Sequence, residues 1–220
     1  MNAISPSRMR GFSLLEILIT MLVVSVGLMG MAGVISRVHV AGFEAYQRSQ
    51  ALIILDEIVQ HLNVNRNTLS CFRFTTNLTN GTPYIGVDGT VTLPVGCAAG
   101  TIWQYNDLAD TTIQALQDRL LGSAETKAGA SVRPMIGARA CISYDAASEL
   151  SDSVGALISG TGLYTITVAW QGMAATQAPT AACANNLYGS SDAWRRAVTT
   201  TVRFANLTAA SLATHAGAGT

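Results

Sequence analysis

The sequence predicts an α+β protein in which one long N-terminal helix packs on an antiparallel β-sheet. Two patterns predict this fold class. The first 66 residues are helical in pattern, apolar first and then amphipathic, and strand-like runs follow near 137–144, 162–171 and 196–205. The chain has 220 residues, of which 49% are hydrophobic and only 12% charged, so one ordinary domain plus an appendage is expected. Thirteen basic and thirteen acidic residues cancel, and nucleic acid is not an expected partner.

The first part of the helix is predicted to span a membrane. Residues 17–36 carry no charge, and a helix of this length rises about 30 Å, the thickness of a bilayer core. Arg8 and Arg10 precede this run, so the positive-inside tendency predicts a cytoplasmic N-terminus and export of residues 37–220. A secretory signal would end in a good A-x-A site, whereas the chain offers only the weak triplet 30–32. We therefore expect the span to be retained in the inner membrane.

The front edge of the span reads Arg10-Gly11-Phe12-Ser13-Leu14-Leu15-Glu16. This segment resembles the type IV pilin and pseudopilin signature. The resemblance implies that a prepilin peptidase cleaves after Gly11 and methylates the new amino group of Phe12. Residues 1–11 would then be the leader. Its removal takes away Arg8 and Arg10, so eleven basic residues remain against thirteen acidic ones, a balance of −2.

Glu16 is the only charged residue between Phe12 and Ser36. An ionisable side chain inside an apolar span costs about 2–3 kcal/mol on insertion scales, which makes it a functional candidate. The methylated amine of Phe12 on an adjacent subunit could neutralise it during filament assembly. The alternative is that Glu16 only complements the helix dipole or lies at headgroup depth, which contributes about 0.3–1 kcal/mol.

The span continues through a glycine-punctuated stretch, residues 24–34, with glycines at 27, 30 and 33. This stretch resembles PilV-type minor pilins, the type IV pilus modification group, and so do residues 51–58 with Asn65-Arg66 and the run 164–172. The glycines permit either local melting of the helix or close helix packing.

The PilV resemblance implies a minor pilin with a pilin-like head. Its expected partners are other minor pilins, the major pilin and a large tip adhesin, in a complex that primes assembly and serves adhesion and twitching motility. The protein would lie in the inner membrane and then in the extracellular pilus. Two alternatives stay open: a minor pseudopilin of a type II secretion system, and a membrane-anchored periplasmic module.

The chain divides by pattern into a membrane and filament-core helix at 12–40, an amphipathic spine helix at 41–66, a globular head at 67–205 and a flexible tail at 206–220. On the spine, the three-and-four spacing predicts a face that packs on the head, with polar residues on the side toward water. The predicted packing face is Arg48, Leu52, Leu55, Val59 and Leu62, and the predicted water face is Glu44, Gln47, Asp56 and Gln60.

The head begins loop-rich and contains one predicted helix, from Asp107 to Leu121, with Asn106 or Asp107 as N-cap and Gly122 as its stop. In the run 162–171 apolar and smaller or polar residues alternate, which predicts a strand with one face in the core.

Four cysteines, at 71, 97, 141 and 183, fall on the predicted exported side, and none forms a C-x-x-C pair. A zinc site is therefore disfavoured, and disulfides are the expectation in an oxidising periplasm. Of the three possible connectivities we favour Cys71–Cys97 with Cys141–Cys183. Free buried thiols are the alternative.

The sequence favours a filament component over an enzyme, and no cofactor or metal is expected. It has no P-loop, no G-x-G-x-x-G after a strand and no G-x-S-x-G elbow. The remaining candidates have simpler explanations as surface pairs, solvated helix faces or a strand edge. These candidates are His39, His61 beside Glu57, His215, Asp56, the pair Asp107/Asp110, and the triplet Trp194-Arg195-Arg196.

Overall fold

A computed structural model describes residues 11–91, 103–122, 126–127, 130–131 and 135–204. Most of the predicted leader, Cys97, His215 and the predicted tail lie outside these described residues. The chain forms two compact units that meet in sequence at Phe43 and Glu44. One helix, α1 (Leu14–Val64), contributes its first thirty residues to the first unit and the remainder to the second.

The first unit consists of residues 11–13 and the apolar part of α1. It contains a stretch long and apolar enough to cross a membrane, and none of that stretch is buried within the protein. The helix is continuous through glycines 27, 30 and 33, and the space around each of them is open. This part of α1 therefore exposes an apolar surface that lipid or other helices could cover.

The second unit contains every described strand. A short helix α2 (Leu69–Phe72) is followed by β1 (Ile85–Gly86) and α3 (Trp103–Leu121). A two-stranded hairpin comes next, formed by β2 (Thr126–Lys127) and β3 (Ala130–Ser131). The long strands are β4 (Ile136–Asp145), β5 (Leu163–Gln171) and β6 (Arg195–Arg203), which confirm the three predicted runs.

These strands form one antiparallel sheet of order β1-β4-β5-β6, and the hairpin β2-β3 is separate. The inward face of the sheet carries alternate residues of β5, Tyr164, Ile166, Val168 and Trp170, as the alternation predicts. They join α1 and α3 in the main core, so the predicted α+β class is confirmed.

The predicted packing face of the spine is partly wrong. Leu55 and Leu62 are buried and Val59 is partly buried, but Arg48 and Leu52 are exposed. The buried face instead consists of Gln47, Ala51, Ile54, Leu55, Ile58 and Leu62. The prediction that Gln47 faces water is therefore also wrong. The reason is that residues 51–55 are apolar on more than one side of the helix, so the spacing alone does not fix which side meets the sheet.

Helix α3 begins four residues earlier than predicted, so Asn106 and Asp107 lie inside it and the predicted N-cap is wrong. The predicted stop is confirmed. Gly122 adopts a positive φ of 69°, and its N–H donates to the Arg119 carbonyl at 3.1 Å. This is a conformation that glycine adopts at little cost.

The sheet has a second buried face, where the sequence predicted only one. Residues 172–194 cover part of the outer side, and a smaller cluster forms there from Tyr84, Cys141, Ala169, Cys183, Ala184 and Tyr188. The predicted Cys141–Cys183 disulfide is confirmed and joins β4 to this covering segment. Cys71 is also disulfide-bonded. Because Cys97 lies outside the described residues, the Cys71–Cys97 pairing stays a prediction.

Candidate processing and assembly site

The candidate site is the start of α1. The predicted cleavage position, between Gly11 and Phe12, directly precedes the helix, and Glu16 lies in its first turn. Residues 11–13 precede the helix. The Ser13 carbonyl accepts hydrogen bonds from the N–H groups of Glu16 at 3.0 Å and Ile17 at 3.3 Å, which starts the first turn. The Gly11–Phe12 peptide therefore lies outside the helix.

Among the described residues, nothing packs against Gly11, and the side chain that follows the predicted scissile bond is exposed. A Cβ atom built on Gly11 would meet nothing within 4 Å, and the Phe12 side chain is 80% exposed. A peptidase must reach the backbone, and an exposed, non-helical peptide beside a glycine offers that access. The geometry is compatible with cleavage after Gly11.

Glu16 lies in the first turn of α1 and is exposed. Its side chain makes no hydrogen bond or ion pair within the described part of the chain. The hydroxyls of Thr20 and Ser25 differ, because each donates to a backbone carbonyl of the preceding turn, at 2.9 Å and 2.7 Å. The Glu16 carboxylate is thus a charged group at the start of this span with no partner among the described residues. Its first-turn position also suits the helix dipole, so the alternative interpretation stays open.

The histidine candidates do not form a reaction centre in the described residues. His61 Nε2 lies 3.9 Å from Glu57 Oε1, and Arg119 Nε lies 3.4 Å from the other oxygen of the same carboxylate, Oε2. The three side chains form a partly exposed polar group on α1 and α3. His39 is exposed on α1. The described ranges contain no cluster of three or more metal-ligating side chains.

Several titratable groups of the second unit are buried or partly buried. Burial, and then the neighbouring Asp107 carboxylate, raise the pKa of Asp110. Burial raises the pKa of Tyr164 and of Tyr188 to about 12, so neither phenol ionises near neutral pH. Arg139 lies between two tyrosine rings, with its guanidinium carbon 4.9 Å from the Tyr188 centroid and 5.5 Å from that of Tyr84.

Arg195 and Arg196 are not a solvated strand edge, and that prediction is wrong. Arg195 is 1% exposed and pairs with Asp192, while Arg196 is partly buried and donates to Glu44 at 3.0 Å. Both guanidinium groups bind parts of the same head, which is why they do not face water. The Glu44–Arg196 pair joins residues 152 positions apart, a separation that sequence spacing does not reveal.

Comparison with known proteins supports the predicted signal at the start of the chain. Residues 6–32 match the family described as the prokaryotic N-terminal methylation motif. The chain therefore carries a type IV pilin-like prepilin signal, and this signal includes Gly11, Phe12 and Glu16. Together with the exposed apolar helix it indicates membrane anchoring. No curated protein and no solved structure matches the chain significantly.

Proposed function

We propose that this protein is a minor pilin of a type IV pilus. The observation that carries the proposal is the methylation motif at residues 6–32, in which the Gly11–Phe12 peptide precedes the helix and the Glu16 carboxylate lies in its first turn. A prepilin peptidase cleaves after Gly11 and methylates Phe12. The mature subunit waits in the inner membrane, its head periplasmic, until it enters the filament.

Assembly exchanges lipid for protein around the apolar part of α1. The exposed apolar side chains and the open space around glycines 27, 30 and 33 support this exchange, because small residues let helix backbones approach closely. Inside the filament the Glu16 carboxylate accepts a charge-assisted hydrogen bond from the methylated amine of Phe12 in a neighbouring subunit. In a low dielectric, either charge alone would be costly.

The finer assignment is a PilV-type subunit of the priming or tip complex. It would act with other minor pilins, the major pilin and a large tip adhesin, and would serve adhesion and twitching motility. The similarity of residues 24–34, 51–58 and 164–172 to that group supports this assignment.

Reading the mature N-terminus tests the processing step. We expect mass spectrometry of protein from its native membrane to give a chain that starts at N-methylated Phe12. An intact Met1 would overturn the pilin proposal and leave a membrane-anchored module.

Deletion of the gene then separates the two filament systems. Loss of surface pili with normal secretion supports the type IV pilus, whereas loss of secretion with normal pili identifies a type II pseudopilin.

A further inference from the structure

Strand β6 is the last strand of the four-stranded sheet, and no described residue pairs with the side of it that faces away from β5. It pairs with β5 at every position from Arg195 to Arg203, without a bulge. In an antiparallel ladder, every second residue turns its N–H and C=O away from the neighbouring strand. From residue 197 to 203 these outward groups have no hydrogen-bond partner among the described residues. We call this row of backbone groups the β6 edge.

The β6 edge lacks the features that keep sheet edges from pairing with other chains. Such features include proline, a bulge, a charged side chain within the strand, and very short length. Residues 197–202 contain no charge, no proline and no glycine, and five of the six are β-branched. This composition favours an extended, paired strand. The edge is therefore suited to accept one more strand.

Hydrogen-bond geometry determines the kind of occupant. The outward donors and acceptors alternate along an extended backbone, and another extended backbone matches that spacing. Val198 and Val202 pack against the main core on the inner face of the sheet, whereas Thr199 and Thr201 are exposed on the outer face. An incoming strand rich in β-branched residues continues both faces.

A cleft beside the β6 edge indicates the charge of the occupant. The cleft has a volume of about 360 Å³, lies between α1 and β6, and has Arg48 and Val198 in its wall. Its two arginines and one glutamate give it a formal charge of +1. Arg48 is exposed and has no ion-pair or hydrogen-bond partner in the described ranges, because Glu44, one turn before it, binds Arg196 instead.

An acidic side chain on the incoming strand can therefore pair with Arg48. A second copy of β6 does not offer this pair, because residues 195–203 contain three arginines and no acidic residue. Charge complementarity thus favours a strand of different sequence over a second copy of this one.

We propose that the β6 edge binds an extended strand of another protein, and that an acidic side chain of this strand pairs with Arg48. Main-chain hydrogen bonds supply the affinity, and the charge pair fixes the position of the strand along β6. In a filament the strand comes from a neighbouring subunit of different sequence. That role rests on the proposed function, whereas the strand site itself does not.

Fluorescence anisotropy of a labelled synthetic peptide with the full chain in detergent micelles tests the site. The peptide alternates valine and threonine and has a glutamate at each end, so that either strand direction brings an acid to Arg48. We expect this peptide to bind, and N-methylation of all its central amides to weaken binding at least about tenfold, because both of its hydrogen-bonding edges are then blocked.

Two outcomes of that measurement would overturn the proposal. Equal binding of the methylated and unmethylated peptides would show a contact without strand pairing. Failure of both to bind would show that the β6 edge is already occupied, by residues 205–220 or by a second copy.

The variant Arg48→Gln tests the charge pair. It should bind the glutamate-ended peptide about tenfold more weakly than wild type, the effect of losing one charge-assisted hydrogen bond. A peptide with glutamine at both ends is the matched control, and the variant and wild type should bind it within about twofold of each other. Unchanged affinity of the variant for the glutamate-ended peptide would overturn the proposed pairing. An unprocessed N-terminus would reject the pilin function without changing any of these peptide results.

Discussion

Arg195 is a buried cation whose five donor hydrogens all point to acceptors. Nε and Nη2 donate to the two oxygens of Asp192 at 2.7 Å and 2.6 Å. The other donors bind the carbonyls of Pro179, Ala181 and Cys183, all in the segment that covers the outer face of the sheet. A planar guanidinium matches this set of acceptors, which an ammonium would not. Arg195 therefore holds the covering segment against the sheet.

Replacing Arg195 should destabilise the head strongly. Arg195→Gln leaves the largely buried Asp192 carboxylate and three carbonyls short of donors, and breaking such a buried pair costs about 3–5 kcal/mol. Urea unfolding in detergent, followed by tryptophan fluorescence, measures the change. Arg48→Gln, at an exposed arginine with no ion pair or hydrogen bond among the described residues, should stay within about 0.5 kcal/mol of wild type. A similar small change for Arg195→Gln would contradict the assigned role.

The same pair predicts a pH dependence. The hydrogen bond from Arg195 holds the pKa of Asp192 below its usual value. A lowered folded pKa means that the stabilisation is fully present above the unfolded pKa of about 4 and is lost as pH falls through the folded value. Asp192→Asn should therefore cost about 1.5–3 kcal/mol at pH 7, and the gap from wild type should close below about pH 4. Urea titrations from pH 7 to pH 3 measure that gap. A gap that stays constant over this range would contradict the prediction.

At the scale of elements, helix α1 buries a polar residue where the sheet meets it. Gln47 is fully buried, and neither its amide nitrogen nor its amide oxygen has a partner among the described residues. An unpartnered buried amide is costly, since it loses its hydrogen bonds to water without replacement. Nothing in the packing of the main core requires this group to be polar.

Gln47→Met should stabilise the head. Methionine has a similar length, and removing the unpaired polar atoms should gain about 1–3 kcal/mol. Gln60→Met is the control, because residue 60 is exposed on the same helix and should change little. The midpoint of urea unfolding measures both variants. A loss of stability for Gln47→Met would show that the amide has a hydrogen-bond partner.

The covering segment 172–194 is held by a disulfide as well as by Arg195. Cys141 lies on β4, and Cys183 follows it by 42 residues. Loop closure over that separation stabilises the folded state by about 4 kcal/mol. The double variant Cys141→Ala, Cys183→Ala should lose most of this free energy, as measured by urea unfolding. Full retention of stability would show that Arg195 and the apolar contacts suffice. Non-reducing peptide mapping of the wild type also tests the Cys71–Cys97 prediction.

At the scale of the whole molecule, the two units differ in how they bury apolar side chains. The second unit has a main core and a smaller outer cluster of its own. The first unit exposes apolar side chains over its entire described length and has no core of its own. It therefore requires lipid or other helices around it, and Glu16 is the only charged residue between Phe12 and Ser36 that such surroundings must accommodate.

Glu16→Ala separates membrane insertion from assembly. The variant should still enter the membrane, because it makes the span more apolar, but incorporation into pili should fall sharply when the Phe12 amine loses its carboxylate partner. Membrane fractionation and immunoblotting of sheared pili measure the two steps. Thr20→Ala is the control, since that hydroxyl bonds only to its own helix. Normal incorporation of the Glu16→Ala variant would reject the charge-pairing mechanism.

Much of the fold could be predicted because it follows from local periodicity. The 3.6-residue and two-residue patterns located α1, α3 and the three long strands to within a few residues, and Gly122 marked the end of α3. The side of the spine helix that meets the sheet could not be predicted, because residues 51–55 are all apolar and so lie on more than one side of the helix. The N-terminal site could also be predicted from the sequence, since its residues are neighbours in sequence and precede one uninterrupted apolar run.

The sequence by itself determined the apolar span, the prepilin signal around Gly11 and Glu16, and the strands, because each depends on residues within a few positions of one another. Only the tertiary structure decided that Gln47 is buried and that Arg195 binds the segment over the outer face of the sheet. It also decided that Glu44 pairs with Arg196 and not with Arg48, which is four residues away on the same helix. These outcomes depend on contacts between residues up to 152 positions apart. Chain geometry brings such residues together only after the sheet and α1 have packed, so no local pattern encodes them.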